Sequence, residues 1–413
     1  MARIAIIGGG VIGCAAAAWL AADGHEVMVY ERRPEDRHAS SGNAGLLAFP
    51  EITPLARPGV LRSVPGWLMD PLGPLALRWR DLPALTPWLL RFLAAARAEQ
   101  VERSTAALGG LMRSTLDDHH ELARRAGLVT TEGRAGHLRQ TGAIDVYDTE
   151  ASFRAALPEW ELRRRLGGHD FEPLTPDQAR ALVPDLKGGF ARAVLCPAYW
   201  MVDSPLGVLQ GLRRGLGDRL VTGTVSSVEP GADGVAMRLA DGSTRVFDKV
   251  VVAAGVWSRE IVRGLGLKVP LETERGYNTT IPEAPVRLPM PVVFADHGFV
   301  ASPLSDGLRI GGAVELAAVD APANLARARA LRRKARRYLP AIPETGGTEW
   351  MGRRPSTPDS LPVIGAHPRD RRIVFAFGHG HLGLTLSATT ARLAAGLLSG
   401  SPAPAPFGIE RFQ

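Results

Sequence analysis

Hydrophobic and polar positions follow one another in distinct ways along this chain, and each way predicts a different element. Residues 3–7 form a short β-branched run without alternation, the pattern of a strand buried on both faces. Residues 14–22 read as an alanine-rich helix ended by Asp23 and Gly24, and residues 25–30 as a second strand closing on Glu31. The uninterrupted apolar pattern returns at 248–254 and at 373–377, where a helix over 384–398 follows. Residues 219–229 and 235–239 read as strands, with a turn at Asp241 and Gly242. Between 268 and 315 the chain alternates instead, predicting strands at 275–281, 291–303 and 308–315 with Ser305, Asp306 and Gly307 as a turn. A helix from about 323 to 339 comes next.

The composition narrows the class. The 413 residues are 45% hydrophobic and 22% charged, ordinary for a soluble globular enzyme with two domains or one interleaved unit. Cys14 and Cys196 are the only cysteines, which excludes a disulfide framework, an iron–sulfur cluster and a multi-cysteine zinc site. A reducing, cytoplasmic location is the expectation. The net charge is +7, with arginine far in excess of lysine, and the run at 332–337 reads as a solvated helix face. No signature of a nucleic-acid module accompanies it, so no nucleic-acid partner is expected. Residues 4–22 carry no charge and imitate a signal peptide, but four glycines between Gly8 and Gly13 stand where a leucine run would be needed.

Those glycines carry the first chemistry. Gly8, Gly10 and Gly13 fit G-x-G-x-x-G, with Val11 and Ile12 inside the turn, a strand before it and a helix after it. Gly8 permits the tight turn, Gly10 lets the backbone approach a pyrophosphate, and Gly13 lets helix and strand pack closely. The helix N-terminus then offers amides and a positive dipole end to phosphates. Glu31 is placed to accept hydrogen bonds from a ribose diol and repels a 2′-phosphate, so NADP is disfavoured despite Arg32 and Arg33. The fingerprint alone leaves FAD and NAD open.

Three further segments point to FAD. The small-residue loop at 40–45, with Ser41, Asn43, Ala44 and Gly45, suits contact with a ribityl chain and a flavin ring. The buried strand at 248–252 runs into Ala253, Ala254, Gly255, Val256 and Trp257, where small side chains let a ligand pass; Val225 lies on the strand upstream. The third segment is C-terminal: Gly378, His379, Gly380, His381, Leu382, Gly383, Leu384 and Thr385 form a glycine turn before a helix, whose N-terminal dipole would face the N1/O2 edge of a flavin. The two histidines have no carboxylate or cysteine cluster beside them, and no metal is expected.

In this order, the glycine fingerprint, residues 253–258, residues 350–365 and residues 378–383 resemble the FAD-dependent D-amino-acid oxidase/dehydrogenase superfamily, which includes glycine and sarcosine oxidases. The likeness spans the whole chain and is greatest to bacterial D-amino-acid dehydrogenases; residues 275–278 and 378–384 are similar to members acting on D-hydroxyproline. It implies an α/β chain in which a Rossmann-type FAD-binding domain (1–50, 190–265 and 355–413) interleaves with an α+β substrate domain (51–189 and 266–354) carrying a mostly antiparallel sheet. It implies hydride transfer from a D-amino acid Cα to flavin N5, with D-proline or cis-4-hydroxy-D-proline favoured and a quinone or respiratory-chain acceptor; glycine or sarcosine oxidation by oxygen, or a role as a flavin subunit of an electron-transfer complex, are the alternatives. FAD is expected to be non-covalent, because no cysteine lies beyond Cys196.

By the same resemblance Arg354 occupies the position that holds the substrate carboxylate, while Arg353 stands where the family usually has an apolar residue. An arginine fork binds a carboxylate bidentately, which makes it the natural anchor. Tyr277 and Phe299, on the alternating strands, are candidate pocket walls. Residues 55–100 differ in texture, with Trp67, Trp79 and Trp88 among prolines and leucines. Thr86 and Pro87 predict a helix start, cap then proline, after which Trp88, Leu89, Phe92, Leu93 and Ala96 share a face. That face either packs on the core or meets a membrane surface or quinone, which would make the protein peripheral on the inner face of the membrane.

Overall fold

A computed structural model of the chain describes residues 1–35, 38–58, 70, 72–129 and 135–413. Trp67 lies outside the described residues. Two large sheets organise the rest. The first has six strands in the order Leu220–Thr222, Glu26–Glu31, Arg3–Ile7, Lys249–Val252, Asp370–Phe377 and Val363–His367. Neighbours are parallel except the last pair. Ile4 and Ile6 are wholly buried, as an apolar run without alternation requires of a strand covered on both faces. The helices Val11–Ala22 and Ser387–Leu398 pack side by side on this sheet, and the alanines of the first let them approach closely.

The second sheet has nine strands and is mostly antiparallel. Thr348–Ser356 forms one edge, next to it lies the strand Glu272–Ile281, and this pairs on its other side with Gly307–Leu316. Phe299–Leu304, Val292–Phe294, Ala143–Tyr147, Arg192–Cys196 and Glu172–Leu174 extend it. The two parallel pairings are Val292–Phe294 with Ala143–Tyr147 and Gly307–Leu316 with Leu75–Leu77. Alternation is the rule here because the two faces meet different neighbours. One face packs on the helix Ala326–Arg336 through Leu331 and Ala335; the other turns toward the first sheet. Residues 190–265 therefore supply strands to both sheets, Arg192–Cys196 to the second and Leu220–Thr222 with Lys249–Val252 to the first.

Three local expectations are corrected. The helix read from Thr86 begins earlier, at Leu82, and takes Pro83 into its first turn. Thr86 does not cap it; its hydroxyl donates to the Leu82 carbonyl one turn back, at 2.8 Å. The C-terminal helix read from Leu384 starts at Ser387, after a 3₁₀ turn at Gly380–Leu382. The basic run at 332–337 is a solvated face only in part: Arg333 and Arg337 are exposed, but Arg332 is buried on the Gly346 carbonyl and Arg336 pairs with Glu344. No helix among the described residues is long and apolar enough to cross a membrane.

Candidate active site

A single cavity of about 1360 Å³ runs between the two sheets. At one end sits the glycine turn. Gly8 has φ +109°, and a Cβ there would meet the Ala253 carbonyl oxygen at 2.5 Å. A Cβ on Gly13 would stand 1.8 Å from the Gly8 carbonyl oxygen, so both positions are closed to any other residue. Gly10 differs: the nearest atom to its Cβ position is His38 Cδ2 at 3.7 Å, and the residue lines the cavity. The room there is the space a phosphate would take. The Gly9 carbonyl accepts from Cys14 Sγ at 3.3 Å and from Arg213 Nε and Nη2 at 3.1 and 2.8 Å, which fixes the turn from behind.

Glu31 closes this end. Its carboxylate accepts from the Gly9 and Arg33 amides at 2.7 and 3.0 Å and pairs with His38 at 3.0 Å. Burial works to raise its pKa, but the His38 contact and the two amides prevail and hold it at about 2. Arg32 lays its guanidinium 3.6 Å over the Trp257 ring, which makes a flat lid beside the cavity.

The loop around Ser40–Gly45 is tied to the second sheet. Arg309 Nη1 donates to the Ser41 and Asn43 carbonyls at 3.2 and 2.8 Å, and Asn278 Nδ2 to the Gly42 carbonyl at 2.9 Å. Asn43 folds its own side chain onto the Gly45 amide, an Asx turn. Trp350 lies flat on Gly42, where a Cβ would meet its ring at 1.9 Å. The hydroxyls of Ser40 and Ser41 are buried without a partner. Of the two, Ser40 lines the cavity, and an orphaned donor in a cradle of backbone amides is what a ribityl chain would satisfy; with the open space at Gly10 it fits FAD.

The C-terminal turn forms the facing wall. His379 is buried with Nε2 2.9 Å from Thr390 Oγ1, and burial lowers its pKa to about 3. His381 is lowered to about 4, first by burial and despite Glu51. Burial favours the neutral form of both rings, and no group of three or more ligating side chains occurs among the described residues. Thr385 serves the fold, accepting from the Ala48 amide through its hydroxyl and bonding His119 Nε2 through its carbonyl.

Arg354 faces the Ser40–Gly45 loop from the sheet. It stands opposite Glu274 in register, and Gly276 beside it has no Cβ, which would otherwise lie 2.1 Å from Nη2. Burial lowers the Arg354 pKa, with Glu274 opposing. Its one hydrogen bond to a described residue is from Nη1 to the Ala313 carbonyl at 3.3 Å, so the rest of the fork is unmatched. Glu274 accepts from Ser356 Oγ at 2.8 Å, and its Oε2 has no partner. Arg353, one residue earlier, points to the other face and donates to the Val319 carbonyl at 2.8 Å.

The sheet thus sorts the expected residues. Tyr277 and Phe299 share the face of Arg353 and of the helix Ala326–Arg336. The Tyr277 hydroxyl donates to Glu315 at 2.5 Å and accepts from the Asn324 amide at 3.1 Å, and Phe299 stacks on Phe294 at 4.5 Å. Both still border the cavity, with Arg354. Gly8, Gly10, Val11, Ile12, Glu31 and Arg32 line it at one end. Asn43, Ala44, Val225, Ala254, Gly255 and Trp257 line its middle, and His379, Gly380, His381, Gly383 and Leu384 its far wall. Gly13, Ser41, Gly45, Gly378, Leu382 and Thr385 sit behind that surface. Arg213, His38, Arg309, Glu274, Gly276, Trp350 and Asp145 were not anticipated. Only Gly276 carried a local signal, a glycine inside a strand pattern.

The chain matches the FAD dependent oxidoreductase family over residues 3–397. It is 34% identical to the D-amino-acid oxidase of Bradyrhizobium diazoefficiens over 99% of both chains. It is also 34% identical to the D-amino acid dehydrogenase of Paramagnetospirillum magneticum, again over 99% of both. Among solved structures it is similar to glycine oxidase from Geobacillus kaustophilus, with a TM-score of 0.74, 24% identity and 99% of both chains covered. The L-proline dehydrogenase of P. horikoshii has the same fold, with a TM-score of 0.72, 18% identity and coverage of 99% and 97%.

Proposed function

The chain belongs to the FAD dependent oxidoreductase family, and on that premise we propose that it is a D-amino-acid dehydrogenase, with D-proline or cis-4-hydroxy-D-proline favoured and a quinone-type acceptor. One observation carries the reading: the unmatched Arg354 fork in the cavity, given room by Gly276. A carboxylate there would take the free donors in two parallel charge-assisted bonds. Bound FAD supplies the hydride acceptor. Residues around Gly8, Gly10, Glu31, Asn43, Ala254 and His381 would hold it. Arg354 orients the substrate and Trp350 with the Ser40–Gly45 loop limits its approach, so positioning does most of the work. Glu274 Oε2, directly across from Arg354, is placed to accept a hydrogen bond from the substrate amine. Tyr277 and Phe299 back this wall from the helix side.

FAD is non-covalent in this reading. Cys196 is buried, and burial raises its thiol pKa to about 11, which leaves no reactive thiolate. The quinone reading rests on the helix Leu82–Ala95, whose Trp88, Leu89, Phe92 and Leu93 line the cavity while its Leu90, and Trp79 in the 3₁₀ turn before it, are 62% and 67% exposed. An apolar mouth beside exposed apolar side chains suits a lipid-borne acceptor and peripheral contact with the inner face of the membrane. The two similar proteins differ in their names, oxidase and dehydrogenase, so an oxygen-using enzyme is the second reading.

Anaerobic reduction of the purified flavoprotein by D-proline, cis-4-hydroxy-D-proline, D-alanine, glycine, sarcosine and L-proline tests this. Bleaching by D-imino acids with slow reoxidation in air is expected. Quick reoxidation after glycine or sarcosine would move the assignment to an oxidase, and no bleaching by any of the six would end the amino-acid reading.

A further inference from the structure

The far end of the cavity holds a carboxylate that nothing described so far uses. Asp145 lies in the strand Ala143–Tyr147, and register carries a row across the sheet from it through Val293, Val300, Gly311 and Asn278 to Trp350. All six line the cavity on the Arg354 side of the sheet. The side chains between are short, so the floor is open from one end to the other. Asp145 is 7% exposed, its Oδ2 is sealed off without a partner, and neither oxygen accepts a hydrogen bond from a described residue.

The surroundings explain why it is left over. Glu51 and Glu159 share Arg163, at 3.0 and 2.6 Å, and Glu159 also holds Arg57 at 3.0 Å. Tyr199 and Thr53 hydroxyls complete those two carboxylates, at 2.6 and 2.8 Å. Two guanidinium groups are therefore consumed by two carboxylates, and the third carboxylate has none. A buried, unpaired carboxyl is costly, and such a group in a cavity is satisfied by a ligand that brings donors. Tyr147, Trp160 and Tyr199 line the same end, and the Trp160 ring already carries the Arg163 guanidinium at 4.8 Å, the kind of aromatic surface an organic cation favours.

We propose that Asp145 anchors a second subsite, which takes an ammonium or guanidinium group at the end of the substrate's side chain, so that the substrates include D-amino acids with long basic side chains. The inference rests on the proposed amino-acid reading, with the α-carboxylate on Arg354. Charge balance favours a cation: adding one to three carboxylates and two guanidinium groups closes the account, whereas an anion would widen it. Burial, with Glu51 and Glu159 adding to it and Arg163 opposing, raises the Asp145 pKa to about 8. Tyr147 and Tyr199 beside it are raised as well, and so is Cys196, so Asp145 is the group there that would release a proton near neutrality when a cation arrives.

The test compares D-arginine and D-lysine with uncharged D-norleucine on the holoenzyme, by rapid anaerobic flavin reduction, in wild type and Asp145→Asn. The expected result is a basic-to-neutral kcat/KM ratio that falls about 10- to 100-fold in the variant, mostly through KM, as loss of a charged hydrogen bond predicts. Calorimetric titration of the wild-type holoenzyme with n-butylguanidinium, which carries no α-amine or oxidisable Cα–H, in two buffers of different ionisation heat needs neither turnover nor a variant, and release of a proton on binding is expected. A ratio unchanged by Asp145→Asn, or binding without proton release, overturns the subsite. If no D-amino acid reduces the flavin, the proposed function fails instead, and the calorimetric result alone decides whether Asp145 receives a cation.

Discussion

Single residues in the glycine turn have separable duties. Gly10→Leu fills space that only His38 approaches, so the fold should survive and the flavin should not. Purified Gly10→Leu is expected to be colourless with wild-type apoprotein Tm. Gly13→Ala drives a Cβ onto the Gly8 carbonyl and should cost several kcal/mol, enough to abolish soluble expression at 37 °C, by the usual size of a strained core substitution, about 1–3 kcal/mol or more. The buried histidines set the acid limit. Burial lowers His119, His379 and His381 to about 4, 3 and 4. Each folded pKa is depressed below the unfolded value, so their stability is complete above pH 6.5 and is lost as pH falls toward 4. Thermal unfolding between pH 7 and 4.5 should show Tm falling, and His379→Asn should flatten the slope. Asp145 has the opposite sign: its raised pKa costs stability as pH climbs from the unfolded value toward 8, and Asp145→Asn should remove that decline.

Elements decide which of these residues meet. Gly276→Ala would push the Arg354 fork aside without touching the flavin cradle. Its kcat/KM for any D-amino acid should fall roughly tenfold or more while flavin content stays at wild-type level, the loss expected for one or two charge-assisted bonds. The helix Leu82–Ala95 is tested from its outer side. A Trp79→Ser, Leu90→Ser double variant should bind anionic vesicles more weakly and reduce ubiquinone more slowly, with the rate to a soluble dye acceptor unchanged. An equal loss with both acceptors would remove the membrane reading.

The same scale shows what could be read from the chain alone. The glycine turn was legible because strand, turn, helix and Glu31 lie within about thirty residues and each obeys a local rule. Strand identity was legible too, but not which face of Glu272–Ile281 would meet the flavin side, and so Tyr277 could not be told from Asn278. Arg213 and Arg309 were hidden for another reason. Their partners lie far away in sequence, Gly9 in one case and Ser41 in the other, and no periodicity records such a pairing. Asp145 carried no sequence signal, and only the missing partner makes it informative.

At the scale of the whole molecule, the two sheets are bound by few, buried polar ties. Arg309 reaches from Gly307–Leu316 to the loop that follows the first two strands, and it also bonds Thr280 and Asp306. Arg309→Ala should therefore loosen flavin rather than substrate. Equilibrium dialysis is expected to show a flavin Kd raised about tenfold or more, with the substrate KM of the reloaded enzyme little altered.

The strand order of the first sheet also governs how a ribosome can make this protein. Arg3–Ile7 waits for Lys249–Val252, and that strand in turn waits for Asp370–Phe377, so the sheet's inner neighbours arrive hundreds of residues apart. Until the His379–Leu384 wall has emerged, the nascent chain holds an open trough of apolar surface and no complete berth for the flavin. Flavin supply is therefore expected to rescue a finished chain but not one cut short before Gly378, which a truncated chain's failure to retain flavin and its faster proteolysis would show.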